Sequence, residues 1–245
     1  MTSNRKIALA AGVFFIITFI TSIPALYLFQ PVLDDPAGYI AGSGADNTRI
    51  LVGASLELFL ILANVASAVV LYPILKRQSE MLALGYITAR IVESSFIAIG
   101  LVSVLGVVSL QQQGATGADA GTIGVTLAAI KDWTFLLGPG FIVGVGNGLL
   151  LGYLMYRSGL VPQRMAMLGL VGGPLICASG ILVLLGVFDA GDAGQGIATA
   201  PEFLWELSLG VWLIVKGFNP CSILPADAGR GRPQAPDIAV LAAGD

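Results

Sequence analysis

Apolar residues occur along the chain in six long runs that are separated by short polar segments. Run length separates a buried soluble helix from a membrane span, because crossing the apolar core of a bilayer takes about 20 residues. The pattern therefore predicts six transmembrane helices, spans one to six. Spans one, two, three, five and six cover residues 7–29, 50–75, 81–110, 165–188 and 201–218. Span four begins between residues 126 and 133 and ends at residue 156.

The fold class that follows is all-α, a polytopic transmembrane helical bundle of about six helices. Composition agrees, since 56% of the residues are hydrophobic and only 11% are charged, against roughly 25% charged in an average soluble domain. The first run follows two basic residues, as in a signal peptide, but it is too long for a signal sequence and is predicted to be retained. We expect one membrane domain over residues 1–220 and a disordered cytoplasmic tail over 221–245.

The polar segments between the runs predict where the chain turns. Turn-forming residues between 31 and 44 predict a loop, residues 76–80 predict a short charged turn, and the Gly-rich segment 111–124 predicts a second loop. Gly138-Pro139 predicts a kink in span four, and Gly172-Gly173-Pro174 predicts a distortion in span five.

The distribution of Lys and Arg predicts the orientation of the bundle. In a six-helix arrangement Arg49 and Lys131 lie on one side, and Arg90 lies inside a helix. Because basic residues are retained on the cytoplasmic side during insertion, both termini are predicted to be cytoplasmic. The Lys and Arg residues predicted on the same side as the two termini are Arg5, Lys6, Lys76, Arg77, Arg157, Arg164, Lys216, Arg230 and Arg232.

Composition also excludes several kinds of chemistry. The chain has no histidine, which removes Ser/His and Cys/His nucleophile pairs and the usual zinc ligand sets. No basic patch suits nucleic acid. Cys177 and Cys221 lie far apart in the predicted topology, so we expect unpaired thiols. We expect no metal site and no cofactor.

Charged residues within the apolar runs are the first candidates for function, because each costs about 2.5 to 3.5 kcal/mol at the bilayer centre. Arg90 and Glu93 are three positions apart in span three, so they share a helix face and can pair. One interpretation is a polar centre that binds an ion or a polar solute, or passes a proton. The other is an ion pair that only fixes helix register.

A second group of acids lies near the starts of spans two, four and six: Glu57, Asp132 and Glu206. The helix dipole favours carboxylates there. They form either an acidic, outward-facing cavity that attracts cations or a set of partly solvated acids. Arg90 is the internal base in this prediction. Three glutamates, Glu57, Glu93 and Glu206, are counted against this one base. Two of them therefore need a proton, water or a cation, which favours a transport role.

Small and amide residues in the spans indicate helix packing. Gly140, Gly144, Gly148 and Gly152 recur every four residues in span four, as in a repeated GxxxG motif, and predict close packing within the chain or between two copies. Asn64 and Asn147 are expected to form hydrogen bonds between helices.

Six strings in the chain resemble a mainly bacterial membrane family catalogued as domain of unknown function 4386. The resemblance runs from about residue 6 to 220 and implies a helical bundle in a membrane. The family carries no assigned activity, so the resemblance supplies no catalytic residue. The strings are LEL at 56–58, LYPILKR at 71–77, LALGY at 82–86, KDWTFLLGP at 131–139, YRSGLVP at 156–162 and VWLIVKGF at 211–218.

The leading hypothesis is a non-enzymatic, multi-pass protein of the bacterial inner membrane that binds or transports a small solute or ion. Arg90 and Glu93 are its polar centre, with Glu57 and Glu206 on the outer approach. We expect the lipid bilayer to surround the protein. The alternative is a scaffold that uses the span-four glycines for self-association or for a membrane protein partner. A lipid-directed enzyme is a third hypothesis, disfavoured because histidine and a catalytic motif are lacking.

Overall fold

A computed structural model describes residues 2–187 and 189–224, and every regular element in this part of the chain is helical. Six of these helices are long and apolar enough to cross a membrane, which confirms the polytopic bundle. The elements are α1 (Ser3–Asp34), α2 (Pro36–Ile40), α3 (Asn47–Leu75), α4 (Glu80–Gln112), α5 (Ala118–Leu137), two π-helical segments (Gly138–Ile142 and Gly144–Leu151), α6 (Gly152–Ser158), α7 (Gln163–Leu184) and α8 (Ala193–Val215).

Span four is the continuous helix Ala118–Ser158, and it begins earlier than predicted. The predicted loop at 111–124 shrinks to the few residues between α4 and α5. Span six likewise begins at Ala193 rather than at residue 201. Both added segments, 118–125 and 193–200, contain glycine and polar residues beside alanine, so a hydropathy pattern does not detect them although their backbone is helical.

The predicted kink at Gly138-Pro139 takes the form of two π-helical segments. Proline has no N–H to donate and its ring crowds the preceding turn, so the wider turns accommodate Pro139 without ending the span. In α7 the helix continues through Pro174. In the predicted first loop, α1 continues through Pro31 to Asp34, and α2 begins at Pro36.

The spans form a closed ring in which each packs on its neighbours in the order α1, α3, α4, span four, α7 and α8, with α8 returning to α1. The guanidinium of Arg5 donates to the carbonyl oxygen of Leu213 at 2.8 Å, which joins the start of α1 to the end of α8. We call this end of the bundle the terminal side. The opposite end, where α1 ends and α3 begins, is the distal side.

The terminal side is closed by a core of fully buried side chains from every span, including Phe15, Leu71, Tyr86, Leu154 and Leu209. Cys221, Ile223 and Leu224 pack against this core. Residues 221–224 of the predicted tail therefore lie against the bundle, while the predicted disorder of 225–245, with Arg230 and Arg232, and the predicted end of span five at Phe188 fall outside the described residues.

The distal side has a core of different composition. Its buried members, among them Phe29, Tyr39, Ile50 and Val104, come from α1 to α5. Within the described residues, α7 and α8 contribute no side chain to this distal core, and Ile181, Leu184 and Ile197 in their distal halves are exposed. The spans thus meet tightly on the terminal side and enclose space towards the distal side.

Candidate solute-binding site

A cavity of about 290 Å³ occupies the distal half of the bundle, and every span contributes to its wall. Because Asp132, Phe135 and Phe203 line it and are also exposed, the cavity reaches the protein surface. Its polar lining includes Glu57, Asn64, Arg90, Glu93, Lys131, Asp132, Glu202 and Glu206, and its apolar lining includes Phe19, Leu60, Ile97, Phe135, Val143 and Phe203.

The inner end of the cavity is a buried polar centre formed by Asn64, Arg90 and Glu93. Arg90 Nη1 donates to Glu93 Oε2 at 2.8 Å, and Arg90 Nη2 donates to Asn64 Oδ1 at 2.6 Å. Asn64 Nδ2 donates to Glu93 Oε1 at 3.0 Å. The predicted Arg90–Glu93 pair is therefore present, and Asn64 forms the expected hydrogen bonds between helices α3 and α4.

A second ion pair lies closer to the distal side and corrects two predictions. Lys131 Nζ contacts Glu57 Oε1 at 2.5 Å, so Glu57 is not a free acid in an outer vestibule. The sequence predicts Lys131 at the end of the bundle opposite the termini, but the residue is buried among the helices and only 6% exposed. Gly100 makes this burial feasible, because a Cβ at Gly100 would lie 2.9 Å from Lys131 Cδ.

The middle of α8 supplies two more carboxyl groups on one helix face, since Glu202 and Glu206 are four positions apart. Glu206 is half-buried and accepts a hydrogen bond from Asn147 Nδ2 in span four. Glu202 is 2% exposed. Neither carboxylate oxygen of Glu202 accepts a hydrogen bond from the residues that the structure describes.

Glu202 is the main site residue that sequence reasoning missed. Span six was predicted to start at residue 201, which would place Glu202 at a solvated helix end. The observed start at Ala193 moves Glu202 into the third turn of α8. The spacing of Glu202 and Glu206 was the signal available in the sequence, because positions four apart project from the same helix face.

The predicted outer acids thus lie in three environments. Glu57 is buried in an ion pair, Glu206 bonds to Asn147, and Asp132 is exposed at the rim of the cavity. The structure brings all three to the same cavity without bringing them into contact with one another. Asp132 is the exposed member of the three, and its position on the outer side of the membrane stays a prediction.

The predicted glycine ridge packs against α7 in the same chain. A Cβ at Gly144 would lie 2.7 Å from the carbonyl oxygen of Gly173, and one at Gly152 would lie 3.3 Å from the amide nitrogen of Leu170. Gly148 lies against Gly173. Gly140 differs, because the atoms nearest its added Cβ belong to its own span. The surface that the scaffold hypothesis requires is therefore occupied by α7 at Gly144, Gly148 and Gly152.

Charge around the cavity is unbalanced. Among the described residues, Arg90 and Lys131 are the bases in its lining, against the glutamates at 57, 93, 202 and 206 and the exposed Asp132. This corrects the expectation that Arg90 is the single internal base, but the excess of acid remains. Within residues 2–187 and 189–224, no three Cys, Asp or Glu side chains are arranged to hold a metal ion. Cys177 and Cys221 are free thiols, as predicted.

A ring of six apolar helices around a charged interior cavity defines a multi-pass α-helical membrane protein. The chain belongs to the family described as a domain of unknown function (DUF4386), whose sequence profile matches residues 10–217 and so covers the bundle from α1 to the end of α8. No curated protein sequence and no solved structure matches the chain. The family description states no activity, so the functional argument rests on the cavity.

Proposed function

We propose that this protein binds a small solute or ion in the distal cavity and moves it across the plasma membrane of a bacterium. The observation that carries the proposal is the excess of buried carboxyl groups around a cavity that every span helps to build. A site between the helices of a bundle is a usual place for a small ligand, and this volume is near the lower end of the usual range of about 300 to 1,000 Å³.

A purely structural role for the charges accounts for only part of this arrangement. Arg90 with Glu93, and Lys131 with Glu57, are closed ion pairs of the kind that fixes helix register. Glu202 has no such partner among the described residues, although burying an unpaired carboxylate is costly. The cavity itself is also unnecessary for holding helices together, since packing favours filled space.

The closed terminal side and the cavity on the distal side support access from one side at a time. The basic residues on the terminal side favour a cytoplasmic location for that side, so in this proposal the cavity faces outwards. The distal halves of α7 and α8 lie outside the distal core. They are the elements that we expect to move when the cavity closes.

The proposal is tested by measuring solute uptake into vesicles that contain the purified full-length protein. Vesicles are incubated with a defined mixture of small amines, amino acids, sugars and carboxylates, and their contents are quantified by mass spectrometry. We compare the wild type with Leu60→Trp, which fills the cavity, and with Leu62→Trp, which places the same bulk at an exposed position on the same helix.

We expect at least one solute to accumulate in vesicles with the wild type and Leu62→Trp, and not in vesicles with Leu60→Trp. If no solute class distinguishes wild-type vesicles from protein-free vesicles, the transport proposal is wrong. If Leu60→Trp takes up solute as fast as Leu62→Trp, the pathway does not run through this cavity.

A further inference from the structure

We propose that the solute carries a positively charged ammonium group, which Glu202 binds with help from Glu206, while an apolar body lies against the aromatic wall of the cavity. This inference rests on the proposed function and names the chemical class of its ligand. It follows from the partners of the charged groups and from the composition of the wall.

Glu202 is the glutamate at the cavity with both oxygens unengaged by the described residues. Glu93 is held by Arg90 and Asn64, Glu57 is held by Lys131, and Glu206 is held by Asn147. A carboxylate that is 2% exposed needs a proton or a positive ligand to offset its lost hydration. Glu202 lines the cavity, and its oxygens are buried with Oε2 beside Gly148 and Gly172, so a ligand in the cavity supplies that charge once the side chain turns towards it.

Neither of the nearby bases donates a hydrogen bond to Glu202. Arg90 donates to Glu93 and Asn64, and Lys131 donates to Glu57. Carboxylate oxygens are hydrogen-bond acceptors, whereas a primary ammonium group presents three N–H donors. Glu202 and Glu206, which share one face of α8, are therefore suited to receive two of these donors.

The rest of the wall indicates what the ammonium group is attached to. Phe19 and Phe203 meet edge to face with ring centroids 5.0 Å apart, and both line the cavity. Leu60, Ile97 and Phe135 extend the apolar surface. Aromatic rings bind organic cations through the face of the ring and also bury apolar groups. A bare proton or a hydrated metal ion would make no use of such a wall.

The test measures binding of benzylammonium to the detergent-purified full chain by isothermal titration calorimetry. Benzyl alcohol and benzoate have the same ring with a neutral or a negative group, and inorganic ammonium has the charge without the ring. We expect saturable binding of benzylammonium. Affinities should be lower by about tenfold or more for benzyl alcohol and benzoate, which lack the charge-assisted contact, and for inorganic ammonium, which lacks the buried ring.

Glu202→Gln keeps the size of the side chain and removes its charge. We expect it to weaken benzylammonium binding by about tenfold or more, with Glu206→Gln having a smaller effect. Glu80→Gln is the matched control, because Glu80 is exposed on the terminal side, away from the cavity. Equal affinity of the wild type and a folded Glu202→Gln variant would overturn the proposal, as would an absence of benzylammonium binding to the wild type.

A second measurement uses the wild type and does not depend on the folding of a variant. Dicyclohexylcarbodiimide modifies carboxyl groups in apolar surroundings, and peptide mass spectrometry locates the product. We expect modification at Glu202 that benzylammonium suppresses and benzyl alcohol does not. Modification of Glu202 that is unaffected by benzylammonium would contradict the assignment.

The two proposals fail in different ways. If vesicles take up a neutral or anionic solute and Leu60→Trp blocks that uptake, the transport function stands and the ammonium assignment is overturned. If benzylammonium binds through Glu202 while no solute is taken up, the site stands as a receptor site for ammonium compounds and the transport proposal is overturned.

Discussion

On the terminal side, every span contributes to a core whose side chains are fully buried. On the distal side, the core draws on α1 to α5, and a cavity with charged walls lies beside it. Lipid supplies no hydrophobic force between helices, so close packing and hydrogen bonds must hold a bundle together. The contrast indicates that the terminal side holds the spans together, while the distal side leaves room for a ligand.

The largest effect is expected at the boundary between the two sides, where Arg90 sits. Arg90→Ala removes the partner of Glu93 and leaves several glutamates without a nearby buried positive charge. We expect the free energy of unfolding to fall by about 3 to 5 kcal/mol, as when one member of a buried ion pair is removed. Thermal unfolding of the detergent-purified protein measures the loss.

Arg49→Ala is the control for the loss of an arginine, because Arg49 is exposed and its side chain donates to the carbonyl oxygen of Tyr27 at 2.6 Å. We expect it to cost about 1 kcal/mol or less. If Arg90→Ala is as stable as Arg49→Ala, the polar centre does not hold the helices together, and the claim that it stabilises the bundle is wrong.

Two leucine truncations compare the sides directly. Leu209 is fully buried in the terminal core, whereas Leu60 lines the cavity. Leu209→Ala creates a new void, so we expect a loss of about 2 to 5 kcal/mol. Leu60→Ala enlarges a cavity that already exists, so we expect the smaller loss, near the lower limit of about 2 kcal/mol for such a truncation. Equal losses in thermal unfolding experiments would show that the two sides are packed alike.

Glycine substitutions give a smaller effect and test the packing of span four on α7. A Cβ at Gly148 would press on Gly173 and lie 2.7 Å from Glu202 Oε2, so Gly148→Ala is expected to cost about 1 to 3 kcal/mol. The matched control is Gly85→Ala, where the nearest atom would be at 3.5 Å. Because alanine favours the helix, this control should be neutral or slightly stabilising. A neutral Gly148→Ala would refute the tight contact.

The smallest net effect is expected when the distal ion pair is replaced as a unit. Lys131→Met alone leaves Glu57 buried without its partner and should destabilise the protein clearly. Adding Glu57→Leu removes that unpaired acid, so the double variant is expected to lie within about 1 kcal/mol of the wild type. A double variant that is no more stable than Lys131→Met would show that the pair itself is needed.

The number of spans and the Arg90–Glu93 pair were predictable because both depend on local sequence. Run length identifies a membrane span, and a spacing of three places two side chains on one helix face. The inward position of Lys131 was not predictable in this way. It depends on Gly100 of α4 lying beside span four, and the sequence does not state which helices touch.

The position of Glu202 was missed for a different reason. Hydropathy locates the apolar part of a helix but not the less apolar turns that extend it, such as the start of α8 at Ala193. An error in that boundary moved Glu202 from the interior to a solvated end. In lipid both faces of a span are apolar, so periodicity also gives little information about which face points inwards.

Cysteine accessibility on α3 tests the central claim most directly, that the bundle is open to solute on the distal side and closed on the terminal side. Leu60 and Leu71 lie on nearly the same helix face, about 16 Å apart along the axis. Both are buried, but Leu60 lines the cavity and Leu71 belongs to the terminal core. Each is changed to Cys in a background with Cys177→Ala and Cys221→Ala, and the protein is treated with a water-soluble thiol reagent.

The account predicts rapid modification of Leu60→Cys, with Leu71→Cys modified only after the protein is unfolded. Equal protection of both positions in the folded protein, or modification of Leu71→Cys as fast as Leu60→Cys, would contradict it.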